Sequence, residues 1–119
     1  MDIFYIRRTH VTPAKAGVHL MLYYVYITAS RRPGTLYIGM TNDLVLRVAQ
    51  HKSGEFGGFA SKFGCDKLVW FDFSEDVMAV IQREKQLKAW KRAWKVQLIK
   101  STNPEWRNLY YDLLPQADK

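Results

Sequence analysis

The sequence predicts an α/β (α+β) fold: a small central three-stranded sheet, mixed or antiparallel, flanked by helices in the order β-β-α-β-α-α. Three observations carry this. Two runs rich in aromatic and β-branched residues, Tyr23–Ala29 and 35–39, are separated by Ser30-Arg31-Arg32-Pro33-Gly34. Proline presets φ at one turn position and glycine supplies φ > 0 at the next, the signature of a β-hairpin. A third apolar run, LVWFDF at 68–73, reads as a buried strand, and two amphipathic stretches begin at capping residues.

Along the hairpin, side chains alternate across each strand, so Tyr24 and Tyr26 share one face and Tyr37 and Gly39 share another. Taken alone, tyrosines on paired strands describe ordinary sheet packing. After the hairpin, Thr41, Asn42 or Asp43 can cap a helix that Gly54 ends. With Leu44 at zero and about 100° per residue, Val48 falls at roughly +40°, His51 at roughly −20° and Arg47 at roughly −60°. Arg47 and His51 thus stand one turn apart, on the face that meets the sheet. They are either satisfied by a carboxylate or aimed into a pocket.

The stretch 52–67 holds four glycines with Lys52, Lys62 and Lys67 and reads as a mobile basic loop with a short turn around 59–63. Its spacing does not match a P-loop. Beyond the third strand, Ser74 or Asp76 caps a helix over 77–88. Counting from Val77 in the same way, Val80 falls at roughly −60°, Ile81 at roughly +40°, Leu87 at roughly −80° and Glu84 at roughly −20°. Glu84 is therefore set inside the apolar stripe. A carboxylate there is costly unless it is paired, with Arg47 or Lys88, or bound to a cation. A further helix or bent continuation covers 89–100, with Trp90, Ala93, Trp94, Gln97 and Leu98 inward. Asn103-Pro104 stops it, and Asn103 is expected to cap a last short helix starting at Pro104. Trp106, Leu109, Tyr110 and Leu113 would pack inward from it.

A length of 119 residues suits one domain. We expect residues 1–20 to be a flexible extension, or Met21 to be the natural start, and 114–119 to be a tail. His10 and His19 lack acidic or cysteine neighbours and read as surface residues. Cys65, the single cysteine, can neither close an internal disulfide nor build a cysteine-based metal site. No apolar run reaches the roughly 20 residues that span a bilayer, so the expectation is a cytoplasmic protein with no membrane partner. Lys and Arg outnumber Asp and Glu by 18 to 11, a net charge of +7 that favours a polyanion, nucleic acid first. From Arg83 to Lys100 there are seven basic residues and one acid, with Trp90 and Trp94 interleaved.

Tyr24-Val25-Tyr26 and Tyr37-Ile38-Gly39 are separated by ten residues. Together with Thr41-x-Asp43-Leu44-x-x-Arg47-x-x-x-His51, Arg83-Glu84-Lys85-Gln86 before Trp90, and Asn103-Pro104-x-Trp106, they resemble the GIY-YIG nuclease family, in particular its small stand-alone bacterial members. The likeness covers about 22–109. Tyr24 stands where the family has Gly and Val25 where it has Ile. Met40 replaces a lysine found in some relatives, including the nuclease subunit of excision repair, so any phosphate grip there is absent or met elsewhere, for instance by Lys62.

The resemblance implies a divalent-metal-dependent DNA endonuclease that hydrolyses phosphodiesters with one metal ion. Glu84 would hold Mg²⁺ or Mn²⁺, a hard ion suited to a carboxylate and several waters. Tyr37 would activate or orient the water, Arg47 would stabilise developing charge, and His51 and Tyr26 would complete the network, with Tyr37 and His51 both open as the base. Gly39 and Asn103 would support the site, and Lys62, Lys91, Arg92 and Lys95 would contact nucleic acid. The alternative is a catalytically silent nucleic-acid-binding module of the same fold. The expected partner is DNA, branched or damaged structures included, with specificity drawing on a homodimer or an accessory protein.

Overall fold

Alternation of apolar and aromatic residues in YYVYITA makes a strand that can be buried on both faces. In a computed structural model, which describes residues 21–30, 34–54 and 64–115, this strand, β1 (Tyr23–Ala29), lies at the centre of a three-stranded sheet. Strand β2 (Leu36–Thr41) pairs on one side and β3 (Lys67–Ser74) on the other, both antiparallel. At the closed end of the hairpin, the Ser30 N–H donates to the Thr35 carbonyl at 3.1 Å. Residues 31–33 of the predicted turn lie outside the described residues.

Register decides which side chains meet. Tyr26 is directly opposite Gly39, and Thr28 opposite Tyr37. The two faces assigned separately to the two strands of the hairpin are therefore one face of the sheet. It carries Tyr24, Tyr26, Tyr37 and Gly39 together. The opposite face carries Val25, Ile27, Ala29 and Ile38. Val25 and Ile27 are fully buried there, each stabilising the fold by roughly 1.5–3 kcal/mol. The pairing of β1 with β3 slips between Ile27 and Thr28: Ile27 faces Trp70 and Thr28 faces Leu68, leaving Val69 as the extra residue of a bulge.

Each face is covered by its own helices. On the tyrosine face, α1 (Leu44–Ser53) buries Leu44 and Val48. The Asp43 carboxylate caps it by accepting from the Leu46 N–H at 3.1 Å, and Gly54 ends it at φ 73°. On the Val25/Ile27 face, α2 (Val77–Ala89) buries Val80 and Leu87. Asp76 caps it, accepting from Met78 and Ala79. Then Trp90 and Lys91 adopt extended backbone, and α3 (Arg92–Thr102) begins as a separate helix.

That elbow corrects the predicted inner face of the third helix. Restarting at Arg92 shifts the helical phase, so Ile99 is the buried residue of α3, while Ala93, Trp94 and Gln97 are exposed. The last helix is also shorter than expected. It is α4 (Tyr110–Leu113), starting six residues after Pro104, and Asn103 does not cap it. Tyr110, Leu109 and Leu113 pack against the tyrosine-face cluster as expected, but Trp106 packs against the other. No helix among the described residues is long and apolar enough to cross a membrane.

Candidate active site

Tyr26 is the centre of the polar cluster on the α1 side of the sheet. It is fully buried, and its ring lies over Gly39. A Cβ at Gly39 would stand 2.6 Å from the Tyr26 Oη and 3.0 Å from a ring carbon of Tyr37. Only glycine lets the two tyrosines close over the strand. One turn past Arg47, the C-terminal half of α1 delivers His51. Its Nε2 is 2.9 Å from the Tyr26 Oη, the direction of the bond being set by the imidazole tautomer. The His51 and Tyr37 rings meet edge to face at 5.2 Å between centroids, and the Tyr26 and Tyr37 rings are 6.3 Å apart. Arg47 completes the group through a hydrogen bond to Tyr26.

Burial shifts the protonation of this cluster. The Tyr26 hydroxyl is pushed up to about 12, first by desolvation and then by Tyr37. Arg47 pulls it down, and the charge of Glu84 adds to the upward push. Tyr26 is therefore a neutral phenol at physiological pH. His51 moves the opposite way: burial and then the Arg47 charge hold it below the usual histidine range, so it too is neutral near pH 7. A neutral imidazole, a phenol and a guanidinium share one half-buried surface.

Glu84 reaches this group from α2 through its charge. Its side chain is 18% exposed and pairs with Lys88 at 3.0 Å. Among the described residues no three His, Cys, Asp or Glu side chains cluster as a metal cage. The donor set on offer is a single carboxylate, which suits a hard divalent ion that keeps much of its hydration.

The sequence matches the GIY-YIG catalytic domain over residues 22–97. The chain belongs to the GIY-YIG family. Among curated proteins it is 40% identical over 83 residues to a UPF0213 protein of Syntrophus aciditrophicus, a match covering 69% of this chain and 93% of that protein. It is 35% identical over 85 residues to a UPF0213 protein of Clostridium perfringens, covering 71% and 90%. A UPF0213 protein of Natronomonas pharaonis is 34% identical over 77 residues, covering 65% and 89%. No solved structure matches the chain significantly.

Other residues singled out in this GIY-YIG chain are dispersed. Asn103 is buried, remote in sequence from the tyrosines, and acts as a fastener. Its amide donates to the Val69 carbonyl at 3.1 Å and to the Arg107 carbonyl at 3.0 Å, and its Oδ1 accepts from the Arg107 N–H at 2.9 Å. It thus ties the end of α3 to the bulge of β3. Asn108, which sequence reasoning missed, does the same beside it, accepting from the Leu68 and Tyr110 N–H groups. Lys91 and Arg92 are exposed and Lys95 half-buried. Arg92 donates to the Gly34 carbonyl at 2.8 Å, holding α3 to the hairpin. Lys62 lies outside the described residues, as does the turn expected around 59–63. Met40 packs on the Val25/Ile27 side, away from the tyrosine cluster. Lys52, read in the sequence with the basic loop, belongs to α1 and follows His51 directly. It lies 5.4 and 5.2 Å from the ring centroids of Tyr110 and Tyr111.

Proposed function

We propose that the chain is an endonuclease that hydrolyses nucleic-acid phosphodiesters, DNA first, at the Tyr26–Tyr37–Arg47–His51 cluster. The observation that carries this reading is the meeting of Tyr26, Tyr37 and His51 from three separate elements, with Arg47 bonded to Tyr26. Core packing alone needs no arginine and histidine between two tyrosines, since each polar group brought there costs desolvation.

In this mechanism Tyr37 orients the attacking water, and Nδ1 of the neutral His51 imidazole takes its proton while Nε2–H donates to the Tyr26 Oη. As the water oxygen bonds to phosphorus, the P–O bond to the leaving oxygen breaks and that oxygen takes a proton from solvent. His51 is the better base because its imidazole is already neutral near pH 7 and carries a free lone pair, whereas a phenol must first give up its own proton. Tyr26, kept protonated, fixes the position of His51 through the 2.9 Å bond. Arg47 offers its donor fork to the phosphate as negative charge develops. Glu84 would hold Mg²⁺ or Mn²⁺. When bound, such an ion supplies Lewis-acid stabilisation of phosphate charge. Lys91, Arg92 and Lys95 would hold phosphates away from the point of cleavage.

Incubation of the full chain with plasmid and branched DNA, with Mg²⁺, with Mn²⁺ and with chelator, tests the reading. Metal-dependent cleavage is expected. Binding without cleavage in any metal would make the chain a silent binding module of this family, and neither binding nor cleavage would overturn the nucleic-acid reading altogether.

A further inference from the structure

The elbow between α2 and α3 leaves a groove of about 300 Å³ lined by Trp90, Trp94, Gln97, Leu98 and Ser101. It lies in the helix layer on the Val25/Ile27 side of the sheet, against which Trp90 and Leu98 pack. The tyrosine–histidine cluster is on the other side. Trp90 serves the fold: it is part of that core, and the Arg83 guanidinium covers its ring at 5.4 Å. Trp94 has no structural role of comparable weight. It is 50% exposed, in the first turn of a helix whose buried residue is Ile99, one helical turn and more away. Its ring stands at 87° to that of Trp90, 5.9 Å between centroids, so the two indoles form a wall and a floor.

The rim is cationic. α3 contains no acidic residue, and Lys91, Arg92 and Lys95 stand around Trp94 along the helix, with the Lys91 Nζ 5.7 Å from the Trp94 centroid. A flat apolar slot edged by cations fits a flat apolar group attached to an anion. We propose that this groove is a stacking site for one unpaired nucleobase, with Lys91 and Lys95 on the adjoining phosphates. Paired bases in a duplex are already stacked and cannot enter a slot of this size. A second copy of the chain, itself at +7, would bring like charge to the rim. The proposal rests on the nucleic-acid reading above and sharpens it: the substrate carries a single-stranded or opened segment, bound apart from the tyrosine–histidine cluster.

The test is binding of fluorescent oligothymidine and of a blunt duplex of equal length, without metal, at one fixed salt concentration. Trp94→Ala is expected to weaken single-strand binding by on the order of tenfold, with much less effect on the duplex. Trp94→Phe, which keeps a ring, should retain most of the affinity. Ser101→Trp, filling the groove from an exposed position, should reproduce the loss without touching Trp94. Unchanged single-strand affinity in a folded Trp94→Ala, or equal losses for both probes, overturns the groove while leaving cleavage at the tyrosine cluster intact. Loss of self-association with unchanged oligonucleotide binding also overturns it, giving the groove to a second copy. No binding of either probe by the unaltered chain overturns this inference, and the nuclease reading falls with it only if metal-dependent cleavage is absent as well.

Discussion

Helical period places Glu84 inside an apolar stripe, and its two sequence readings, cation ligand and half of an ion pair, carry different energies. The structure gives it Lys88 as partner, but that lysine is 56% exposed. Breaking a buried pair would cost about 3–5 kcal/mol, whereas an i,i+4 pair with one partner in water contributes about 0.3–0.5 kcal/mol. Glu84→Gln is therefore expected to melt within a few degrees of the parent while metal-dependent cleavage falls by orders of magnitude and DNA binding survives. Wild-type cleavage in that variant would remove Glu84 from the mechanism, and a large drop in melting temperature would make it a structural carboxylate. The choice of base belongs to the same scale. With His51 as base, kcat/KM should rise with pH through a group titrating below the usual ~6.5 and then level off across neutrality, because burial and Arg47 depress its pKa. A profile that shows no such levelling would remove His51 as the base and leave Tyr37 as the other candidate. Stability follows the same sign. The unfolded chain binds the histidine proton more readily than the folded one, so stability drops as pH falls below ~6.5, and His51→Gln should flatten that limb.

At the scale of elements, what was legible in the sequence was local. Asp43 and Asp76 announce their helices because a cap needs only the next three residues, and Gly54 ends α1 for the same reason. The union of Tyr26 with Gly39 was not legible as one face, since it depends on strand register, a long-range property. The spacing of Arg47 and His51 shows their common direction, but not that Tyr26 is what His51 meets. The phase of α3 escapes a sequence reading because two extended residues at Trp90 and Lys91 interrupt a stretch that is helical in composition throughout. Asn103 has the sequence context of a cap, but it serves the Val69 bulge, a feature with no sequence signal of its own. The elbow also sets out the basic residues of α3 towards solvent. Replacing Lys91, Arg92 and Lys95 by Gln should lower the slope of log affinity against log salt by about two to three, close to one for each phosphate no longer neutralised. An unchanged slope would move the phosphate-binding face elsewhere, first to the glycine-rich stretch after α1. Arg92 also anchors α3 to Gly34, so the Lys91→Gln, Lys95→Gln pair, expected to lower the slope by about two, separates charge from anchoring.

For the molecule as a whole, the question is how much chain the fold requires. The family match begins at residue 22, and β1 begins at Tyr23. Both apolar clusters, Val25 with Ile27, Trp70, Leu87 and Ile99 on one face, Tyr26 with Leu44, Val48 and Leu68 on the other, are assembled from residues after that point. β1 is hydrogen-bonded on both edges, so its first residues are held by β2 and β3 and need no preceding segment to order them. Its chain entropy is offset within the sheet itself. Residues 1–20 lie outside the described residues, and we expect them to be dispensable. A chain beginning at Met21 should melt within about 4 °C of the full chain, corresponding to less than about 1 kcal/mol for a domain of this size, and should cleave DNA at the same rate. A fall well beyond that margin in thermal unfolding would show that the extension packs on the core. Retained stability with lost cleavage would instead assign residues 1–20, with Arg7, Arg8 and Lys15, to substrate binding.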